Sequence, residues 1–161
     1  GWQQWIQEKR ELSPGKEASL SGEFQAEIPK PWILEAEQIM DALKNDEILL
    51  LDERTGSRFR GEKEPIDPVA GHIPGAKNEP FQVNLEENGL WKNTETLRRQ
   101  YLERFPDLEQ KKCVPYCGSG VTACHTFFAL RYAGFDHLSI YPGSWSEWIS
   151  DASRPVAVGE E

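Results

Sequence analysis

The stretch "PYCGSGVTACHTFFALRYAGF", Pro115 to Phe135, opens as a short apolar run, turns through Gly-Ser-Gly and continues as an apolar, helix-periodic segment. Cys117 sits at the joint. Gly118 and Gly120 permit backbone conformations that a side chain would obstruct, so successive N–H groups can converge on one point. The helix that follows adds its free amides and the positive end of its dipole. A thiol at that focus ionises more readily than a free cysteine, whose pKa is about 8.5, and the thiolate is the nucleophilic form. The same residue type also serves as a small buried hydrophobe. Cys113, in the middle of the apolar run, and Cys124, beside Val121, Phe127 and Phe128, are expected to pack in that way.

Spacing weighs against other cysteine chemistries. On an extended strand Cys113 and Cys117 stand about 13 Å apart, too far to share a metal ion. No Cys-x-x-Cys pair is present for dithiol redox chemistry. A cysteine phosphatase grips its phosphoryl group with an arginine six positions after the nucleophile; that position is Ala123.

The flanking pattern indicates how such a loop is held. "EILLLD", "KCVPY" and "HLSIY" read as buried strands. "EAEQIMDALKN" has Ile39, Met40 and Leu43 on one helical face. "NTETLRRQYLERF" has Asn93 as its N-cap and a stripe of Leu97, Tyr101, Leu102 and Phe105. "VTACHTFFALRYAG" reads as a helix closed by Gly134, and "GSWSEWIS" as a last helix. This alternation predicts an α/β fold with a central parallel sheet flanked by helices on both faces. A loop after a parallel strand lies at the carboxyl edge, where such folds place ligands. Pro115 cannot donate to a ladder and argues against a regular central strand there.

Trp-x-x-Trp-Ile occurs twice, at Trp2, Trp5, Ile6 and at Trp145, Trp148, Ile149, about one domain length apart. Residues 1–12 are therefore expected to be the tail of an upstream copy of the same domain. Residues 13–31, rich in Ser, Gly, Pro and charge, read as a linker, and residues 32–158 as the domain proper. At 161 residues and 38% hydrophobic content the chain is long enough for one ordinary core. A formal net charge of −9 argues against a nucleic-acid partner. No apolar run approaches the roughly 18 residues of a membrane span, and the start has no basic-then-apolar signal pattern. Three cysteines make no disulfide framework, so a reducing compartment, the cytoplasm, is the expectation.

"CGSGVTA", Cys117 to Ala123, resembles the active-site loop of the rhodanese-domain sulfurtransferases, in the form of the 3-mercaptopyruvate-using members. "LDERTGSRFRGE", "GHIPGAKN" and "YPGSWSEW" resemble further signature stretches of that family in the same order, and the likeness spans about 32–158. The resemblance implies a rhodanese-like fold and a ping-pong cycle with no cofactor and no metal. Cys117 takes the outer sulfur of a small anionic donor as a persulfide. An acceptor thiol, cyanide or a reduced thioredoxin-like protein then collects it. Gly118, Ser119, Gly120, Val121 and Thr122 would line the loop against the donor, with amides from Ser119 to Thr122 stabilising the terminal sulfur. Ser119 and Thr122 are equally ordinary helix-capping residues. Arg58 matches an arginine that binds the donor's anionic end. Arg54 and Arg60 are as readily explained by pairing with Asp52, Glu53 or Glu62, and His72 by a structural turn. Trp145 and Trp148 read as core residues. The family's tandem organisation agrees with the repeated Trp-x-x-Trp-Ile and implies an upstream rhodanese-like domain as a partner.

Members that prefer thiosulfate, a dianion, tend to carry basic side chains in the loop. Gly118 and Ser119 are neutral, which favours mercaptopyruvate. Against this, the second carboxylate-binding arginine of the mercaptopyruvate type is replaced here by Ile66 or Asp67. A sulfur-relay module serving a protein partner, and a non-catalytic interaction domain, remain the alternatives from other classes.

Overall fold

The apolar run Ile48–Asp52 forms the first strand, β1, at the centre of a parallel three-stranded sheet. Lys77–Asn78 (β2) lies on one side of it and Lys112–Tyr116 (β3) on the other. The computed structural model describes residues 1–16, 21–25 and 32–160. Side chains alternate across the sheet, as period two requires. Ile48, Leu50, Val114 and Tyr116 face one layer, built from Ala36 and Ile39 of α2 (Ala36–Lys44) and Trp145 and Trp148 of α6 (Ser144–Trp148). Leu51 and Cys113 face the other, built from Leu97 and Tyr101 of α4 (Thr94–Arg104) and Leu130 of α5 (Val121–Tyr132). Helices thus cover both faces, as the sequence pattern predicts.

Local signals account for the helix ends. Asn93 Oδ1 accepts the Thr96 amide at 2.8 Å, which satisfies one of the free donors of α4. Beyond α5, Gly134 takes φ +84°, the left-handed conformation that ends a helix. A short helix, α3 (Gly56–Phe59), follows β1 directly.

The third strand expected at "HLSIY" is not formed. Leu138 and Ile140 make only isolated parallel bridges, to Cys113 and Ile33. Pro115 supplies the reason. Cys113 N donates to His137 O and Ser139 N donates to Cys113 O, both at 3.0 Å, and Pro115 O accepts from Tyr141 N at 3.2 Å. The proline has no N–H to continue that ladder, so the pairing stays fragmentary. Pro115 nevertheless lies inside β3, between β1 and this segment.

The two copies of Trp-x-x-Trp-Ile differ in surroundings. In α6, Trp145 and Trp148 are buried; in α1 (Trp2–Gln7), Trp2, Trp5 and Ile6 are exposed. Of the linker expected at 13–31, residues 13–16 and 21–25 are exposed and without regular structure, whereas 17–20 and 26–31 lie outside the described residues.

The turn from β3 into α5 depends on Gly120. Its φ is +84°, and a Cβ there would stand 2.6 Å from the Pro142 carbonyl oxygen. Gly120→Ala is expected to destabilise the domain by about 1–3 kcal/mol, from left-handed strain plus this backbone clash. Urea unfolding measures it. A loss under about 0.5 kcal/mol would mean that the loop moves aside and does not need glycine there.

Candidate active site

The strands β1 and β3 pair with Asp52 opposite Tyr116. The next residue on each is Glu53 and Cys117, and Glu53 N donates to Tyr116 O at 2.9 Å. Both side chains therefore emerge side by side at the carboxyl edge. Both line one cavity of about 260 Å³, together with Arg58, Gly118, Ser119, Val121 and Thr122.

Cys117 is almost fully buried, 3% exposed, at the foot of this cavity. Burial alone would push its thiol up. The Thr122 hydroxyl and the amides of Ala123, Ser119 and Thr122, all hydrogen-bonded to the sulfur, outweigh that and hold it below the ordinary cysteine value. Of the Ser119–Thr122 amides expected to converge on the sulfur, those of Ser119 and Thr122 do so, and that of Ala123 joins them. The Cys117 amide itself is engaged elsewhere: it donates to Ser144 Oγ at 3.1 Å, and Ser144 Oγ donates to Tyr141 O at 3.0 Å. Ser144, which the sequence reading passed over, sits at φ +56° to do this.

The loop residues play unequal parts. Gly120 needs its left-handed backbone, but Gly118 does not: its φ is unexceptional, and a Cβ there would lie an ordinary 3.6 Å from Arg58 Nη1. What glycine at 118 does is leave the space over that guanidinium open. Val121 projects from the rim, 74% exposed, and Ser119 is also exposed. Cys124, expected to pack, is exposed on α5, on the same side as Val121 and Phe128; of its three apolar neighbours those two face outward, and only Phe127 packs partly against the core.

Arg58 lines the cavity but is not free. Its Nε and Nη2 donate to Glu64 at 3.0 and 2.7 Å, and Nη2 also donates to Asp67 at 3.0 Å. Asp67 is one of the two residues, with Ile66, that stand in place of the second arginine. Nη1, the atom nearest Gly118, makes no hydrogen bond among the described residues. Burial opposes ionisation of Glu64, yet Arg58 and the amides of Asp67 and Ile66 hold its carboxyl below the usual range.

The other candidates make structural contacts, although Arg54 also lines the cavity. Arg54 is buried, pairs with Asp52 (Nη2 to Oδ2, 2.6 Å), donates to Gly71 O at 2.7 Å and lies over the Trp145 ring. Arg60 pairs with Glu62 at 2.7 Å. His72 Nδ1 bonds Phe59 O at 2.7 Å and the ring stacks on Phe59. Trp145 and Trp148 donate their indole N–H groups to Val69 O and Pro155 O.

Glu53, expected above as a partner for a nearby arginine, makes no ion pair among the described residues. It is 1% exposed; Oε2 accepts from the Thr126 hydroxyl and Oε1 has no partner among the described residues. Burial above all pushes its carboxyl well above the usual range. The Thr126 bond works against this, and Asp52, Glu79 and Cys117 add to the rise. No cluster of three metal-ligating side chains occurs among the described residues, and no helix there is long and apolar enough to cross a membrane.

Residues 35–151 match the rhodanese-like domain. The chain is 44% identical over 149 residues to the probable 3-mercaptopyruvate sulfurtransferase of Pseudomonas aeruginosa, covering 92% of this chain and 52% of that protein. It is 39% identical over 163 residues to the human 3-mercaptopyruvate sulfurtransferase, covering 100% and 54%. It thus spans about half the length of the curated relatives it matches. The crystal structure of the Tum1 protein from Saccharomyces cerevisiae shares the fold, with a TM-score of 0.80 at 24% identity, over 99% of this chain and 59% of that one. The parallel sheet, the glycine-turned cysteine loop at its carboxyl edge and the match over residues 35–151 agree: the chain belongs to the rhodanese-like domain family.

Proposed function

We propose that the chain is the catalytic domain of a sulfurtransferase, with Cys117 as the sulfur carrier and 3-mercaptopyruvate as the preferred donor. One observation carries the reading. The Cys117 sulfur receives the Thr122 hydroxyl and three backbone amides at the foot of a cavity that Arg58 also lines. Such donors stabilise negative charge on sulfur without neutralising it, so the thiolate keeps its nucleophilicity. It attacks the donor's sulfur, the S–C bond breaks with its electron pair going to carbon, and Cys117 becomes a persulfide. A thiol, cyanide or a reduced thioredoxin-like protein removes that sulfur and restores the thiolate.

The charge around Arg58 favours the donor. Glu64 and Asp67 occupy two sides of the guanidinium and leave Nη1 toward Gly118. One free nitrogen beside two carboxylates suits a singly charged carboxylate better than the dianion thiosulfate. An upstream rhodanese-like domain, proposed from the repeated Trp-x-x-Trp-Ile, would complete the cleft, and a reducing compartment such as the cytoplasm would keep the thiol free.

Mass spectrometry after incubation with mercaptopyruvate tests the carrier. A gain of about 32 Da, one sulfur atom, is expected on Cys117. Cys117→Ser is expected to abolish the gain, while Cys113→Ser and Cys124→Ser retain most of it. Equal loss in Cys124→Ser with the fold intact would replace this scheme with a two-cysteine one.

Arg58→Ala is expected to raise KM for mercaptopyruvate and lower kcat/KM roughly 10- to 100-fold, the loss of a charge-assisted contact worth about 1.5–3 kcal/mol. Alkylation of Cys117 by neutral iodoacetamide should change far less. Equal losses in both assays would assign Arg58 to the fold or the thiolate and not to the donor.

A further inference from the structure

The cavity holds a second reactive-type group that the sulfur-carrier scheme leaves unused. Glu53 ends a chain of buried hydrogen bonds: Tyr101 OH donates to Asn84 Oδ1 at 2.8 Å, Asn84 Nδ2 donates to Thr126 Oγ1 at 3.2 Å, and Thr126 Oγ1 donates to Glu53 Oε2. All four residues are buried. Every donor in the chain points toward Glu53, so Oε2 is an acceptor, and the hydrogen of a neutral carboxyl must reside on Oε1. That oxygen is buried and has no partner among the described residues, and Glu53 lines the cavity beside Cys117. A neutral acid with its O–H unspent is a proton donor waiting for an acceptor.

We propose that Glu53 is the general acid of the donor half-reaction and the general base of the acceptor half-reaction, shuttling one proton per turnover. The inference rests on the sulfurtransferase reading with a mercapto-ketoacid donor. When the Cys117 thiolate takes the donor's sulfur, the electron pair of the broken S–C bond stays on the methylene carbon as the pyruvate enolate. Glu53 protonates that carbon. Thiolate, mercaptopyruvate and the Glu53 carboxylic acid thus give the Cys117 persulfide, pyruvate and the Glu53 carboxylate, with total charge unchanged. In the second half an acceptor thiol gives its proton to the Glu53 carboxylate and attacks the outer sulfur of the persulfide. The products are the acceptor persulfide, the Cys117 thiolate and the reset carboxylic acid.

The surroundings favour the protonated form of the carboxyl. Burial raises the carboxyl first. Asp52 on the same strand end, Glu79 beyond β2 and the Cys117 thiolate itself add to it; Thr126 of α5 opposes. Asp52 is paired with Arg54 and Glu79 with Arg104, which moderates both. Tyr101 and Cys113, which also feel Glu53, are themselves pushed well up, and the cations that share the cavity, Arg54 and Arg58, are held in ion pairs with Asp52 and with Glu64 and Asp67.

The test is single-turnover persulfide formation on Cys117 of the full chain with mercaptopyruvate, followed by quenched mass spectrometry across pH. In the wild type the rate should rise as Cys117 ionises. It should then fall as pH passes the Glu53 value, where the acid loses its proton. Glu53→Gln, which keeps the shape and can still accept from Thr126, should slow the step about 100-fold or more and lose the alkaline fall. Iodoacetamide alkylation, which needs the thiolate but no acid, should change less than about threefold, well under the general-acid effect. Thr126→Val removes the bond that holds the carboxyl down, so its alkaline fall should move to higher pH. Glu53→Gln matching the wild type, or slowing both reactions alike, or an unmoved alkaline fall in Thr126→Val, would overturn the assignment while leaving Cys117 as carrier. Absence of any sulfur on wild-type Cys117 would overturn the sulfurtransferase reading and this inference with it.

Discussion

The site depends on one register. Asp52 lies opposite Tyr116, and the Glu53 amide closes on the Tyr116 carbonyl just beyond them. In a sheet of period two, a slip by one residue sends every side chain to the other face. Here it would turn either Leu50 or Val114, whichever strand moved, away from α2 and α6, and would separate Glu53 from Cys117. The packing on the two faces therefore fixes the neighbours at the carboxyl edge. A buried acid next to a buried thiol is not something either loop could arrange alone.

That edge carries charge in two different ways. The arginines are held in ion pairs: Arg54 by Asp52, Arg58 by Glu64 and Asp67. The thiolate is held by dipoles, the Thr122 hydroxyl and the amides of Ser119, Thr122 and Ala123. Neutralising the sulfur with a cation would stabilise it and dull it together; amides aimed at it stabilise the charge and leave it exposed to an electrophile. Glu53 follows from the same economy of charge. With Cys117 alongside and Asp52 and Glu79 within reach, a second anion in so dry a place is costly, and the carboxyl's pKa is pushed well up.

How much of this could be read from the residues alone varied with how local the cause was. β1, β3, α4 and α5 announce themselves through periodicity and caps such as Asn93, and the Gly-Ser-Gly turn announces the loop. The segment 137–141 looks like a strand in isolation; only its neighbour, with Pro115 turned toward it, keeps it from becoming one. Cys124 was misplaced because α5 is apolar on much of its surface, so helical spacing could not say which side meets the core. Glu53 was the deepest omission. A glutamate at a strand end reads as a solvent-facing charge. Its burial comes from Asn84, Tyr101 and Thr126, residues drawn from three other segments whose meeting no local pattern encodes.

The serine at position 144 shows how the loop keeps its polarity. A non-glycine residue at φ +56° carries strain, and glycine would relieve it, but glycine has no hydroxyl to accept the Cys117 amide. On the same side, the Cys117 carbonyl accepts from Trp145 N at 3.0 Å and the Gly118 carbonyl from Ser146 N at 2.9 Å. The negative ends of these two peptides are thereby committed to α6, and the amides farther along the loop are left to face the sulfur. A loop free to rotate those carbonyls would set partial negative charge against the thiolate and raise its pKa. The strain at Ser144 is in this sense part of the cysteine's activation, although its side chain binds the backbone of Cys117 and not the thiol.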